Sequence, residues 1–169
     1  MSTHHFDVLI IGAGLSGIGT ACQVTNEHPG KSIAVLERRE LHDQMTYKGV
    51  LVEDIPNLAW MFGYTNAPWT LKSDIAGAYL CRLFRYMDDN GYAVATARDV
   101  EDCALDDGML DSLQSGYVQR AKDIMPRQGS KLPWKVLMHF EKDSKMLLED
   151  PVVDDALSFG VTTPAEVVA

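Results

Sequence analysis

The sequence predicts an α/β fold: a small parallel sheet followed by an irregular, partly helical C-terminal tail. Three observations predict it. A compact apolar run, FDVLII, ends abruptly at a glycine. A glycine-punctuated segment then opens a helix-compatible stretch, and a second β-rich run follows after HPG at 28–30.

Phe6 to Ile11 is apolar on both faces, as a strand buried in a parallel sheet must be. Leu15 to Thr25 suits a helix that sets Ile18, Ala21, Cys22 and Thr25 on one face, and the proline and glycine of HPG end it. Ser32 to Leu36 is the second strand. Together these make a β-α-β unit with a short return.

Within that unit Gly12, Gly14 and Gly17 satisfy G-x-G-x-x-G. Gly12 permits the tight turn, Gly14 lets backbone approach a pyrophosphate, and Gly17 lets helix and strand pack closely. The helix N-terminus presents free N–H groups and the positive end of its dipole to the phosphates. Ser16 can add a hydroxyl donor. Glu37, at the end of the second run, is placed to accept the hydroxyls of an adenosine ribose and to repel a 2'-phosphate, which disfavours NADP at this site. The pattern is that of a Rossmann-like dinucleotide site, and by itself it leaves FAD and NAD open.

Farther along, Leu58 to Gly63 reads as a short strand, Asn66-Ala67-Pro68 as a turn, and Thr70 as the N-cap of a helix that Asn90-Gly91 ends with a left-handed residue. Leu71, Ile75, Ala78, Tyr79, Arg82, Phe84, Tyr86 and Met87 give that helix a loosely apolar face. WKVLMHFEKDSKMLLE, residues 134–149, suits a further helix with Leu137, Phe140, Met146 and Leu147 partly buried. Residues 1–92 are expected to form the partial nucleotide domain (the β-α-β unit at 1–40, the returning strand and helix at 47–92), and 93–169 a C-terminal extension.

The chain has 169 residues, long enough to bury roughly 70% of its unfolded surface. Its formal charge of -9 makes nucleic acid and anionic membranes poor partners. Cys22, Cys81 and Cys103 are sparse and lack a CxxC pair, which fits reduced thiols and a cytoplasmic setting. No run suits a signal peptide or a membrane span. The acidic stretch DVEDCALDDGMLD, 99–111, lacks the spacing of a calcium loop and reads as a solvated loop. The five histidines form no metal-ligating pair, so no metal site is expected. GLSGI around Ser16 is not a hydrolase elbow.

With Ala21 extending the glycine pattern to GxGxxGxxxA, and LERRE after the second strand, the N-terminal segment resembles the FAD site of flavin-dependent monooxygenases. YKGVLVEDIPNLAWMFGYTNAPWTLKSDIAGAYLCRLFRYMDDNGY (47–92) and GYVQRAKDIMPRQGSKLPW (116–134) resemble the C-terminal part of Baeyer-Villiger monooxygenases, particularly the thioamide-prodrug-oxidising branch. The resemblance implies FAD as cofactor. It implies that the later strand returns beside the first, giving a sheet ordered 2-1-last, and that Gly63, Asn66 and Thr70 lie near the flavin ring.

The sequence departs from the family at LERRELHDQMTYKG, where Arg39 runs on to Tyr47 without the intervening flavin-contacting motif or NADPH-binding domain. No second GxGxxG and no F-x-G-x-x-x-H-x-x-x-W occur. No catalytic residue carries over, and the NADPH site of full-length relatives is not found. The expectation is an FAD-binding remnant shortened by an internal deletion. Its alternatives are a minimal flavoprotein served by an external reductase, and a decayed, non-catalytic fragment. Self-association through apolar surface left uncovered is also expected.

Overall fold

In the computed structural model, residues 6–11, 15–36, 44–108 and 125–161 are described. The architecture is mixed α/β. A five-stranded sheet contains β1 (Val8–Ile11), β2 (Ile33–Leu36), β3 (Thr46–Tyr47), β4 (Leu51–Val52) and β5 (Leu58–Trp60), in the order β2-β1-β5-β4-β3. Strand β1 pairs in parallel with both β2 and β5, with Ile10 opposite Val35 and Ala59. The expected 2-1-last order is therefore present, with β1 between β2 and β5.

The sheet is not wholly parallel, because β3 and β4 add an antiparallel hairpin beyond β5. Lys48 and Gly49 both have positive φ (53° and 67°), and the Val50 N–H donates to the Tyr47 carbonyl at 2.9 Å. Positive φ at both central residues of this tight turn matches the strand twist, within a three-residue loop that leaves Tyr47 paired with Leu51. Strand β5 is also shorter than Leu58 to Gly63, since residues 61–64 leave the ladder. Asp7 clips the entrances of β1 and β2 together, its carboxylate accepting the backbone N–H of Ser32 at 2.7 Å and its hydroxyl at 2.6 Å.

Helix α1 (Leu15–Glu27) forms as expected but turns a different face inward. Ile18 is 55% exposed and Cys22 and Thr25 are also outward, whereas Ser16, Gly17, Thr20 and Val24 are buried. The reason is its neighbour. Helix α2 (Trp69–Asn90) packs alongside through Ser73 and Gly77, and a Cβ on Gly77 would overlap the Gln23 side chain. Small and polar residues at this seam allow close approach, so burial does not follow hydropathy.

Helix α2 is the centre of the molecule. Ile75, Tyr79, Leu80 and Leu83 lie in one core with Tyr47, Leu51 and Ala59 from the sheet side and Met146, Leu147 and Leu157 from the tail. On its other flank Cys81 joins Val8, Ile10 and Val24. Its N-cap is Pro68, not Thr70, which lies exposed inside the first turn. Proline's fixed φ suits a helix start but offers no side-chain acceptor. Gly91 closes the helix at φ 68°, its N–H bonding the Asp88 carbonyl, as the Asn-Gly pair predicts.

Among the described residues there are also two ribbons: β6 (Val94–Ala97) with β9 (Leu157–Gly160), and β7 (Ala104–Gly108) with β8 (Arg127–Gly129), both antiparallel. Part of the acidic stretch is thus strand rather than loop. Asp99 organises its entry by accepting the Cys103 N–H at 2.7 Å. The tail helix is shorter than 134–149: α3 (Phe140–Ser144) runs into a π-helical turn over Lys145–Glu149. Met146 and Leu147 are buried, but Phe140 is exposed and the 134–138 segment is not helical. No helix among the described residues is long and apolar enough to cross a membrane.

Candidate functional site

Strands β1 and β5 run in the same direction and in register, so the chain leaves both at one sheet edge, with Ile11 opposite Trp60. Each then leads to a helix. The N-termini of α1 and α2 are joined side by side by three side chains. The Trp69 indole Nε1–H donates to Ser16 Oγ at 2.5 Å, and Ser73 Oγ lies 2.6 Å from Ser16 Oγ. Ser16 and Ser73 are buried, 6% and 7% exposed, while Trp69 is 38% exposed.

A donor count defines what this cluster can do. An indole N–H only donates, so Ser16 Oγ must accept from Trp69. Three hydrogens (one indole, two hydroxyl) serve two hydrogen bonds, which leaves one hydroxyl hydrogen beyond those bonds at the junction of two helix N-termini. Both helix dipoles place their positive ends here. The arrangement suits an anionic oxygen such as a phosphate. It does not suit nucleophilic catalysis, because neither partner of Ser16 is a base.

Trp69 is held in place from behind. Its ring meets Phe62 edge to face, with centroids 4.8 Å apart, and a Cβ on Gly63 would overlap the indole. Gly63 is therefore a close-approach glycine, which is why the chain can fold back between β5 and α2.

Of the residues expected at the site, Ser16 and Gly17 are buried in the first turn of α1. Gly12, Gly14 and Glu37 lie outside the described residues. Asn66 lies in the loop before α2, exposed, and its amide donates to the Met138 carbonyl at 3.0 Å. Thr70 is exposed on the first turn of α2. The structure brings Ser16 together with Trp69 and Ser73, neither of which was singled out for the site from the sequence. Their only signal is the i, i+4 spacing of Trp69 and Ser73 on one helix face.

The first turn of α2 also carries an ion pair that the sequence reading missed. Lys72 Nζ is 2.9 Å from Asp143 Oδ1, with side chains only 4% and 0% exposed. The contact has the distance of an ion pair without hydrogen-bond alignment, since Oδ1 counts among the buried atoms lacking a hydrogen bond. Oδ2 accepts the Tyr64 hydroxyl at 2.8 Å and the His139 N–H at 3.2 Å. Burial lowers the Lys72 pKa, with Asp143 opposing the shift. Burial, then the bond to Asp143, raises that of Tyr64. The pair fastens the tail to the first turn of α2.

The proteins this chain is similar to form one class: monooxygenases named as containing or binding FAD. It is 72% identical over 120 residues to the FAD-containing monooxygenase MymA of Mycobacterium tuberculosis. It is 43% identical over 119 residues to the FAD-binding monooxygenase AlmA of Acinetobacter baylyi, and 39% over 120 residues to the FAD-containing monooxygenase EthA of Mycolicibacterium smegmatis. These matches cover 71%, 70% and 71% of this chain and 24% of each relative. The chain thus spans about a quarter of the length of the curated relatives it matches. No protein-family model and no solved structure matches it.

Proposed function

We infer that this chain is the FAD-binding part of a flavin-dependent monooxygenase of the Baeyer-Villiger type, a Rossmann-like unit in which the first β-α-β and the returning strand and helix flank the dinucleotide. The observation that carries this reading is the in-register parallel pairing of β1 with β5, which sets two helix N-termini side by side with Ser16 between them.

In this reading Gly12, Gly14 and Gly17 let the backbone approach the pyrophosphate, and the spare hydroxyl hydrogen of the Ser16 junction is donated to a phosphate oxygen. Glu37 accepts the ribose hydroxyls. Asn66 and Thr70, on the loop and first turn leading into α2, face the isoalloxazine. FAD supplies redox chemistry when bound; the residues here bind and orient it, and none acts as a catalytic acid or base. The NADPH site of full-length relatives falls in the segment that LERRELHDQMTYKG bypasses, so electrons come from a separate reductase or not at all. The working compartment is the cytoplasm, and self-association uses apolar surface such as Ile18 and Phe6.

The test is to incubate purified protein with FAD, desalt it and record the absorbance spectrum. A retained flavin band with altered vibronic structure, lost in Gly14→Val, is expected. A colourless folded protein would sink this reading and leave a non-catalytic fragment.

A further inference from the structure

Away from the Ser16 junction, the β3–β4 turn and the tail line an open cleft of about 330 Å³, at the small end of the usual range for ligand sites. Leu132, Pro133, Met146 and Val153 supply apolar walls, and Lys48 lines it from the side of the turn. The Lys48 side chain is 5% exposed, yet its ammonium makes a single hydrogen bond, to the Pro151 carbonyl at 2.9 Å. Asp154 Oδ2 stands off at 3.7 Å, an ion-pair contact too long for a hydrogen bond. An ammonium carries three donors, so among the described residues two are left without an oxygen at hydrogen-bond distance. The rings of Tyr47 and Tyr79, with centroids 5.2 and 5.4 Å away, stabilise the charge without replacing those acceptors.

The backbone adds to this. Lys48 sits at φ 53°, where glycine or asparagine is the ordinary choice for a hairpin turn. A lysine held there and buried combines strain with under-satisfied charge, a combination that persists where a site uses it.

The charges facing the ammonium set the sign of the ligand. Asp154 is partly engaged elsewhere, its Oδ1 accepting the Ala156 N–H at 3.1 Å. The Asp150 carboxylate is paired with Lys145. Arg82 holds the wall from behind, donating to the carbonyls of Leu147 and Asp150. Burial lowers the Lys48 pKa, with Asp154 and Asp150 opposing the shift and Arg82 adding to it.

We propose that this pocket binds a small apolar carboxylate, whose oxygens take the two free ammonium hydrogens of Lys48 while its chain lies against Met146, Leu132 and Val153. The site is separate from the nucleotide junction and does not depend on flavin binding.

The experiment is a titration of the full chain, labelled with carbon-13 at the methionine methyls, with octanoate and in parallel with octanol. Saturable movement of the Met146 methyl signal by octanoate is expected, with octanol at least tenfold weaker. Lys48→Met, with its fold checked by circular dichroism, is expected to bind octanoate at least tenfold more weakly than wild type. Equal binding of octanoate and octanol, no saturable shift in folded wild-type protein, or unchanged affinity in folded Lys48→Met would each overturn the proposal. The wild-type comparison alone decides the matter if the variant does not fold.

Discussion

Replacing Lys72 by methionine removes one half of the buried pair and keeps most of the side-chain volume. Asp143, wholly buried, then retains the Tyr64 hydroxyl and the His139 N–H but loses its countercharge. At 2.9 Å the gross attraction is about 6 kcal/mol with an effective dielectric constant of roughly 20. Part of this is offset by the cost of burying both ions, and breaking such a pair from one side typically costs about 3–5 kcal/mol. That is a large fraction of the roughly 5–15 kcal/mol of a whole domain. Urea unfolding followed by circular dichroism measures the loss, and the double variant Lys72→Met, Asp143→Asn, which removes the second charge but keeps an acceptor for the Tyr64 hydroxyl and the His139 N–H, is expected to recover most of it. A single-variant loss below about 1 kcal/mol, or a double variant as unstable as the single, would refute the assignment of a buried pair. The pH dependence has a definite sign. Lys72 has a lowered pKa in the fold and so binds fewer protons than the unfolded chain below 10.5. Its contribution to stability therefore rises with pH up to the ordinary lysine value, and Lys72→Met should remove that rise.

Ser16→Ala and Trp69→Phe are each expected to weaken FAD binding by about 3- to 10-fold, the loss of one ordinary hydrogen bond. Their effects should be non-additive, measured by flavin fluorescence in a double-mutant cycle; strict additivity would separate Trp69 from the site. Gly63→Ala should cost about 1–3 kcal/mol and red-shift tryptophan emission by unseating Trp69; an unchanged spectrum and stability would show that the loop has room. Cys22 is exposed while Cys81 and Cys103 are buried, with pKa values raised to about 11, chiefly by burial. One thiol of the three should react rapidly with a disulfide reagent at pH 8, and two or more fast thiols would contradict the packing. Because the unfolded thiols ionise near 9.0 and the folded ones near 11, these two groups should lower stability as pH rises through that window.

The β-α-β unit was legible because glycine spacing and apolar strand runs act locally, whereas the return of β5 beside β1 was expected only from the family resemblance. The Tyr47–Val50 hairpin was not, since lysine at a left-handed position carries no turn signal of its own. The inward face of α1 was misread because Ser16, Thr20, Ser73 and Gly77 build a seam that hydropathy scales as polar or neutral. Thr70 looked like a cap because threonine often is one, but Pro68 already fixes the helix start. Gly12, Gly14 and Glu37 keep their sequence rationale alone. The pairing of Tyr64 with Asp143, 79 residues apart, has no sequence signature, because only the tertiary fold brings the tail onto α2.

The placement of α2 has a consequence for how the molecule is made. One core joins Met45 and Tyr47 to Met146, Leu147 and Leu157, and β6 pairs as a ribbon with Leu157–Gly160. During synthesis α2 therefore leaves the ribosome long before the residues that cover it. At about 5–20 residues per second the nascent chain carries an uncovered apolar helix for several seconds. Folding on the ribosome is accordingly a late event, and the growing chain is a natural client for chaperones that shield such surfaces.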